Sequence, residues 1–469
     1  MTTPTPAPLS VRRTEIPGLL LVDLPVHGDA RGWFKENWQR AKMTALGLPD
    51  FGPVQHNVSF NDAIGTTRGI HAEPWDKYVS VATGRVFGAW VDLRHGPGFG
   101  TVVTAEIGPE TAVFVPRGVG NAYQTLEPAT AYTYLVNAHW SPDAAYPLLN
   151  LADPTVAITW PIPLDRAEIS AKDRGHPLFA AVAPASPPRT LVLGAGGQLG
   201  SALRGALSAA DFRDRSQLDM ADAAALHRVP WGDYDAVVNA AAYTAVNEAE
   251  TEQGRRAAWR INARAVSELA RIATEHRLLL VHVSTDYVFD GTRSEHPEDE
   301  SPSPLGVYGQ SKAAGDLAAA TTARHYVVRT SWVIGDGPNF VRTMASLAAR
   351  GVDPAVVDDQ FGRLTVADDL ARGIAHLVAS GAPHGTYNLT NSGPITSWYQ
   401  IAREVFRLLG HDPERVRAVS TAHYLAGKQG IAPRPAHSAL TLDRITSAGF
   451  RPRPADEALA DYLARLPSH

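Results

Sequence analysis

The chain has 469 residues, 44% hydrophobic and 19% charged, which allows roughly two to four cores and excludes a disordered polymer. Its 43 basic and 48 acidic residues leave a net charge of −5, so nothing draws the whole molecule to nucleic acid or an anionic membrane, and an anionic ligand needs a local basic pocket. Cysteine is absent, which excludes disulfides, Cys-ligated zinc and thiol nucleophiles, and lysine is scarce at six residues.

The first ten residues read as a polar tail with no stretch of signal-peptide length. The longest apolar runs, 19–22 and 278–281, are too short to cross a bilayer, so a soluble cytoplasmic protein with no membrane or nucleic-acid partner is expected. From there to about residue 180 the pattern is short alternating runs, 77–81, 85–93, 101–107 and 131–136, punctuated by Gly, Pro, Asn and Asp. Many short strands at this spacing predict a sandwich or barrel. Three prolines within 184–188 predict an extended linker over 181–189, dividing the chain into domains 1–180 and 190–469. After the linker, buried strands at 190–193, 236–239 and 278–284 alternate with alanine-rich helices at 201–210, 255–276 and 308–322. That alternation predicts a doubly wound parallel sheet.

In the N-terminal domain the informative stretch runs from Gln55 through Arg68-Gly-Ile-His71 to Lys77, with basic groups and one histidine on neighbouring strands. His56 and His95 lie in differently placed segments, so His71 has no partner at metal-ligand spacing and no metal is expected. Asp153 is a carboxylate that could orient His71, a pairing that spacing alone leaves open.

In the C-terminal domain the first strand runs into Gly-Ala-Gly-Gly-Gln-Leu-Gly at 194–200. Glycines 194, 197 and 200, between strand and helix, allow a tight turn and let backbone N–H groups approach a pyrophosphate. About 20 residues on, Asp211, Asp214 and Asp219 suit a ribose hydroxyl while Arg213 and Arg215 suit a 2′-phosphate, which leaves NADH against NADPH open. Tyr308 and Lys312 are four apart and share a helix face. An ammonium there is expected to lower the phenol pKa, helping it protonate a carbonyl oxygen as hydride arrives. Upstream, a buried strand ends in Ser284 and Thr285, at the sheet edge where ligands of such folds sit.

These residues carry two resemblances. From about residue 190 the chain resembles the extended short-chain reductases, and among them the dTDP-4-dehydrorhamnose reductases. The similar stretches are 194–200, 237–246, Ser-Thr-Asp-Tyr-Val-Phe-Asp-Gly at 284–291, Tyr-Gly-Gln-Ser-Lys at 308–312, Arg-Thr-Ser-Trp at 329–332, and 339–340, 359–362 and 385–387. The resemblance implies a Rossmann-type sheet with a small substrate subdomain and an NADPH or NADH hydride source. It implies Thr285, Tyr308 and Lys312 as the catalytic trio. Gly194, Gly197, Gln198, Leu199, Asp219, Ala240 and Ala241 would join Tyr308 and Lys312 in holding the cofactor, with Trp332 at the substrate. Asn247, Glu248 and Asp316 depart from the family pattern, and Tyr287 after Thr285-Asp286 argues against a dehydratase.

Residues 14–165 resemble the dTDP-4-dehydrorhamnose 3,5-epimerases, which implies a cupin-like β jelly roll. The matched stretches include 29–36, Gln55, Asn57 and Ser59, 68–71, Lys77, 91–94, 97–100, 115–118, Asp153-Pro154 and Trp160-Pro161. Epimerisation beside a ketone needs a base, an acid and a stabiliser of the enolate oxygen. The resemblance implies His71 held by Asp153 as base, Tyr134 as acid and Lys77 at the enolate. Arg31 and Arg68 would bind the diphosphate, and Phe34, Glu36, Gln55, Asn57 and Asn121 would shape the pocket. The family's Tyr-Gln after the histidine is Ala72-Glu73 here, its second histidine is Asn121, and the tryptophan before its Asp-Pro is Leu151. Together the two resemblances imply a bifunctional enzyme acting on a dTDP-4-keto-6-deoxyhexose, first as epimerase and then as reductase, and a homodimer through the N-terminal domain. Other outcomes are a different deoxysugar product, a non-catalytic epimerase scaffold, or a nucleotide-binding regulator.

Overall fold

The computed structural model describes residues 8–140, 144–185 and 189–466, and the chain divides into two compact units, 1–187 and 188–469. In the N-terminal unit a six-stranded antiparallel sheet runs in the order Ser10–Arg13, Leu20–Asp23, Thr111–Val115, Lys77–Thr83, Thr130–Val136, Gln55–Asn61. A four-stranded sheet, ordered Thr67–His71, Val119–Thr125, Val86–Asp92, Val102–Ile107, supplies the second layer. Alternate residues point inward from both sheets, so Val79, Val81, Val113 and Tyr132 of one meet Val86, Trp90, Ile107 and Tyr123 of the other in one apolar cluster. A separate hairpin, Val26–Asp29 with Gly32–Lys35, turns at Gly32, whose φ of +130° an L side chain rarely adopts.

The prolines do not set off a free spacer over all of 181–189. Phe179 packs at a tilt against Phe99 with ring centroids 4.7 Å apart, Val182 is buried in the N-terminal unit, and Ala185 bridges Arg94. The apolar side chains before Pro184 dock because bare core is there to receive them. Residues 186–188, the rest of the expected linker, lie outside the described residues.

In the C-terminal unit six parallel strands run in the order Asp211–Arg213, Thr190–Leu193, Ala236–Asn239, Leu279–Thr285, His325–Thr330, Gly385–Asn388. Their side chains alternate between two cores. Leu191, Leu193, Val237 and Leu280 pack under Val266, Leu269 and Trp231, while Val192, Val238 and Val281 pack under Leu203, Leu370 and Ile374. A third core, including Val341, Met344, Val405, Phe406 and Leu459, belongs to helices Phe340–Ala349, Trp398–Leu408 and Ala455–Ala464 and forms the smaller subdomain.

The helices differ from their expected spans, the third, expected over 308–322, running Val307–Ala319. The first begins at Gln198 rather than Ser201, because the glycine turn itself feeds its first turn. The stretch 255–276 is interrupted by a π turn at Arg260–Arg264 between helices Glu252–Trp259 and Ala265–Glu275. Inside that turn Asn262 is buried and gives its amide to Tyr243 O and Ser311 Oγ, both at 3.0 Å. The opposing helix Val307–Ala319 carries Gly315 there, where a Cβ would stand 2.2 Å from Asn262 O.

Candidate functional sites

Within the N-terminal unit, His71 ends a strand of the smaller sheet and lies directly opposite Asn121 in the ladder. Its Nε2 is 3.1 Å from Asp173 Oδ1. Asp173 sits in a short helix, Ala171–Arg174, and also accepts the Gly69 N–H at 3.2 Å. Burial pushes the Asp173 carboxyl up, but the His71 contacts and the Gly69 N–H prevail and hold it below its ordinary range. The expected partner was Asp153. Instead Asp153 accepts the N–H groups of Thr155, Val156 and Phe179 at 2.8, 3.2 and 2.7 Å. Asp153 is therefore a loop clasp, and the imidazole is oriented by a residue 102 positions from it in the chain. His176 stands behind, its Nε2 3.6 Å from Asp173 Oδ1, so one histidine and one carboxylate gather at His71 that spacing had not brought there. His71, Asp173 and His176 are the described residues that could hold a metal ion. The His71–Asp173 hydrogen bond is equally that of a base and the carboxylate that orients it.

Lys77 is buried and ion-paired with Glu73 four residues earlier in the preceding loop, and its ammonium lies 5.4 Å from the centre of the Tyr134 ring. Burial first, then the Glu73 charge, pushes the Tyr134 phenol up, while Arg68 works against them. Burial first, then the Glu73 and Asp173 charges, pushes the Tyr146 phenol up as well. Asn121 is a hub: its Oδ1 accepts Trp90 Nε1 at 2.9 Å and Tyr132 OH at 3.1 Å. Arg68 donates to Asn61, Gln55 to Asn57. The hairpin residues are not gathered with these. Arg31 pairs with Asp29, Glu36 with Lys42, and Phe34 is 68% exposed.

In the C-terminal unit the glycine turn is a cradle by necessity. Gly194 has φ of +81° and a Cβ there would meet Ala241 N at 2.5 Å; a Cβ on Gly200 would meet Gly194 O at 2.2 Å. The Gly194 and Ala195 N–H groups bond Arg213 O, which pins the end of the second strand beside the turn. The exposed side chains of Arg213 and Arg215 follow there, and Asp219, 3.7 Å from Arg215, accepts the Ala221 N–H. Ala240 and Ala241 leave the third strand at the same edge, tied to Leu193 O and Asn239 Oδ1. Backbone closeness, a helix N-terminus and flanking arginines fit a dinucleotide.

Thr285 closes the strand Leu279–Thr285, and Tyr308 and Lys312 lie on the facing helix. Thr285 Oγ1 donates to Asp286 Oδ1 at 3.0 Å and its hydroxyl also favours the ionised Tyr308. The expected lowering of the phenol by the ammonium is not what the structure has: burial, then the Asp286 charge, pushes Tyr308 up. Lys312, 1% exposed, donates to Val283 O at 2.7 Å, and burial lowers its own pKa to about 8. Asp286 is also buried and raised to about 6, with Oδ2 left without a protein partner. Trp332 holds φ of +47°, strained for so large a residue, and stacks on Trp398 at 3.8 Å. Sequence reasoning missed Asp173, His176 and Tyr146 in one unit and His282, Asn262 and Asp286 in the other. The signal available for the second set was polar residues inside a buried strand or helix.

A family model described as RmlD substrate binding domain matches residues 188–468, and one described as dTDP-4-dehydrorhamnose 3,5-epimerase matches residues 13–181. The N-terminal region is similar to a protein RmlC homolog of Streptococcus pyogenes, 50% identical over 188 residues, spanning 38% of this chain and 94% of that protein. The C-terminal region is similar to a dTDP-4-dehydrorhamnose reductase of Mycobacterium tuberculosis, 41% identical over 291 residues, spanning 59% of this chain and 92% of that one. Among solved structures, the dTDP-4-dehydrorhamnose reductase of Bacillus anthracis in complex with NADP matches with a TM-score of 0.55 at 31% identity, covering 60% of this chain and 99% of that chain.

Proposed function

We infer, for a chain that belongs over residues 188–468 to the RmlD substrate binding domain family and over residues 13–181 to the dTDP-4-dehydrorhamnose 3,5-epimerase family, a bifunctional enzyme of dTDP-L-rhamnose synthesis. The observation that carries it is the presence in one chain of both polar constellations, His71–Asp173 with Lys77 and Tyr134, and Thr285 with Tyr308 and Lys312. One 4-keto group serves both. It acidifies the neighbouring C–H bonds for the first unit and is the electrophile for the second.

In the epimerase unit His71, oriented by Asp173, takes the proton beside the ketone. Tyr134 returns one to the other face. Lys77 stabilises the enolate oxygen, its charge moderated by Glu73. In the reductase unit the groups around Gly194, Gly197, Gln198, Leu199, Ala240 and Ala241 hold the nicotinamide dinucleotide, which supplies a hydride when bound. Arg213 and Arg215 favour NADPH through its 2′-phosphate, in keeping with the NADP in the Bacillus anthracis structure. Thr285 positions the ketone oxygen, Tyr308 protonates it, and Lys312 supplies the nearby positive charge. The apolar side chains Trp33 and Phe34 on the hairpin and Val58 and Phe60 on the edge strand Gln55–Asn61 are exposed, which supports a homodimer through this unit. Sedimentation equilibrium reads the association directly.

The function is tested by supplying the 4-keto sugar nucleotide and NADPH to the protein in deuterated water, with the product identified by NMR. Cofactor oxidation with deuterium at C3 and C5 of a rhamnosyl product is expected. Oxidation without deuterium removes the epimerase role, deuterium without oxidation removes the reductase role, and deuterium at one carbon alone makes the product a different deoxysugar.

A further inference from the structure

Behind the reductase trio lies a buried histidine to which none of the preceding chemistry assigns a role. His282 is on the strand Leu279–Thr285, 0% exposed, with Asn239 of the neighbouring strand directly opposite. Asn239 Oδ1 accepts the Ala241 N–H at 3.1 Å. A backbone N–H can only donate, so the amide orientation is settled and the Asn239 NH2 faces His282 Nδ1, at 3.0 Å. Nδ1 must then be the acceptor, and the proton of the neutral ring sits on Nε2. Burial, then the Lys312 charge, keeps the ring neutral by pushing its pKa well below the usual value.

That Nε2–H points between two charged side chains. It is 3.4 Å from Lys312 Nζ and 3.9 Å from Asp316 Oδ1. Lys312 and Asp316 are four apart on one helix, the spacing at which an ammonium and a carboxylate ordinarily pair. Here they are kept apart. Lys312 bonds Val283 O and Asp316 Oδ2 takes Arg329 Nε at 3.1 Å, while Asp316 Oδ1 stands beyond hydrogen-bond reach of the imidazole; burial pushes that carboxyl up, against Arg329, the Ser284 hydroxyl and Lys312. Two donors, Nε2–H and the ammonium, cannot bond each other, so the ammonium takes the Val283 carbonyl and the ring stands between ammonium and carboxylate without a hydrogen bond to either. Gly315 makes room for the ring, since a Cβ there would come within 3.2 Å of Nε2.

We propose that His282 is a positioning residue for the reduction: a neutral imidazole wedged between Lys312 and Asp316, denying the ammonium its carboxylate and holding it on the Val283 carbonyl, next to Thr285 and Tyr308. The groups that bear on Lys312 are His282 and Val283 O on the strand and Asp316 on its own helix, with Arg329 from the next strand and the Ser284 hydroxyl acting on Asp316. This rests on the reductase reading above.

The experiment is ketone reduction by NADPH from about pH 6 to 10, with the full chain carrying H282L, H282Q, or H282L with D316N. Removing the wedge lets Asp316 capture the ammonium. The carboxylate raises the lysine pKa, so in H282L kcat falls at least about tenfold while the alkaline limb of its pH profile moves up from the wild-type position. H282Q keeps a donor toward Asp316 and stays within about threefold of wild type. Adding D316N to H282L removes the captor, returning both kcat and the limb. A merely structural histidine would lower kcat without moving the limb and without rescue by D316N, and that result overturns the proposal. In the wild-type protein, 15N-histidine NMR reads the ring directly: a neutral Nε2–H tautomer throughout is expected, and an imidazolium or an Nδ1–H ring refutes the wedge even if H282L does not fold. Absence of NADPH oxidation by wild type would instead sink the reductase reading and leave the tautomer result standing on its own.

Discussion

Asp173 and Asp153 are both buried carboxylates kept ionised by the groups around them, but they hold different things. Asp173 holds the imidazole of His71; Asp153 holds three backbone N–H groups of a loop. Both carboxyls lie below their ordinary range, so the stability each contributes is in place above the unfolded carboxylate pKa and is lost as pH falls through the folded value. At neutral pH, D153N is expected to cost about 2 kcal/mol, the loss of charge-assisted bonds, and to leave deuterium exchange into the sugar nearly unchanged. D173N is expected to cut that exchange by about a hundredfold, the scale of a misplaced general base. Exchange rates and urea midpoints at pH 7 and near pH 3 decide it: the stability penalty of D153N should shrink at the acid end, and equal exchange in D173N and wild type would refute the dyad. His71 and Lys77 were singled out by the epimerase resemblance, since a lone histidine and a lysine on strands with burial patterns this continuous carry no period of their own. Asp173 was not, because Ala-Lys-Asp-Arg in a polar stretch has no period or spacing linking it to a strand a hundred residues earlier.

At the scale of elements, the glycine turn shows which backbone positions are committed. Gly194 is committed by its φ of +81°, Gly200 by the 2.2 Å approach that a Cβ would make to Gly194 O. Gly197 is different: its φ is −84°, and a Cβ would find Gly194 O at an ordinary 3.5 Å. G200A must therefore shift the helix off the strand, and its thermal midpoint is expected to fall by several degrees, about 2 kcal/mol or more for an overpacked contact. G197A is expected to melt with the wild type yet bind NADPH at least about tenfold more weakly, since its methyl would occupy the face offered to the pyrophosphate. Calorimetry and fluorescence titration separate the two; a G197A protein with wild-type affinity would move the pyrophosphate elsewhere. The alternation of strand and helix was readable here because parallel strands buried on both faces leave continuous Val and Leu runs. The π turn was not readable. Its cue is Asn262 inside an amphipathic helix, and a lone asparagine does not distinguish a bulge from a solvent-facing position.

At the scale of the whole molecule, each unit closes its own apolar clusters: Val79, Trp90 and Val113 in one, Val237, Leu269 and Leu280 in the other. Units with separate cores are expected to keep their structures when the chain between them is cut. A protease site placed at 186–188 in the full chain tests this. After cleavage both thermal transitions and both turnover numbers should stay within about twofold of the intact protein. The tether's effect on the combined reaction follows from diffusion. A small intermediate released from the first site leaves a nanometre neighbourhood far faster than turnover at about 10 per second, so the second site captures it from bulk solution. Tethering raises local concentration only for species that remain attached. The lag before NADPH oxidation should therefore depend on total enzyme concentration and be the same before and after cleavage. A lag that lengthens on cleavage while both separate activities persist would mean that the intermediate passes between the sites without mixing with solvent, and that the covalent link takes part in the transfer.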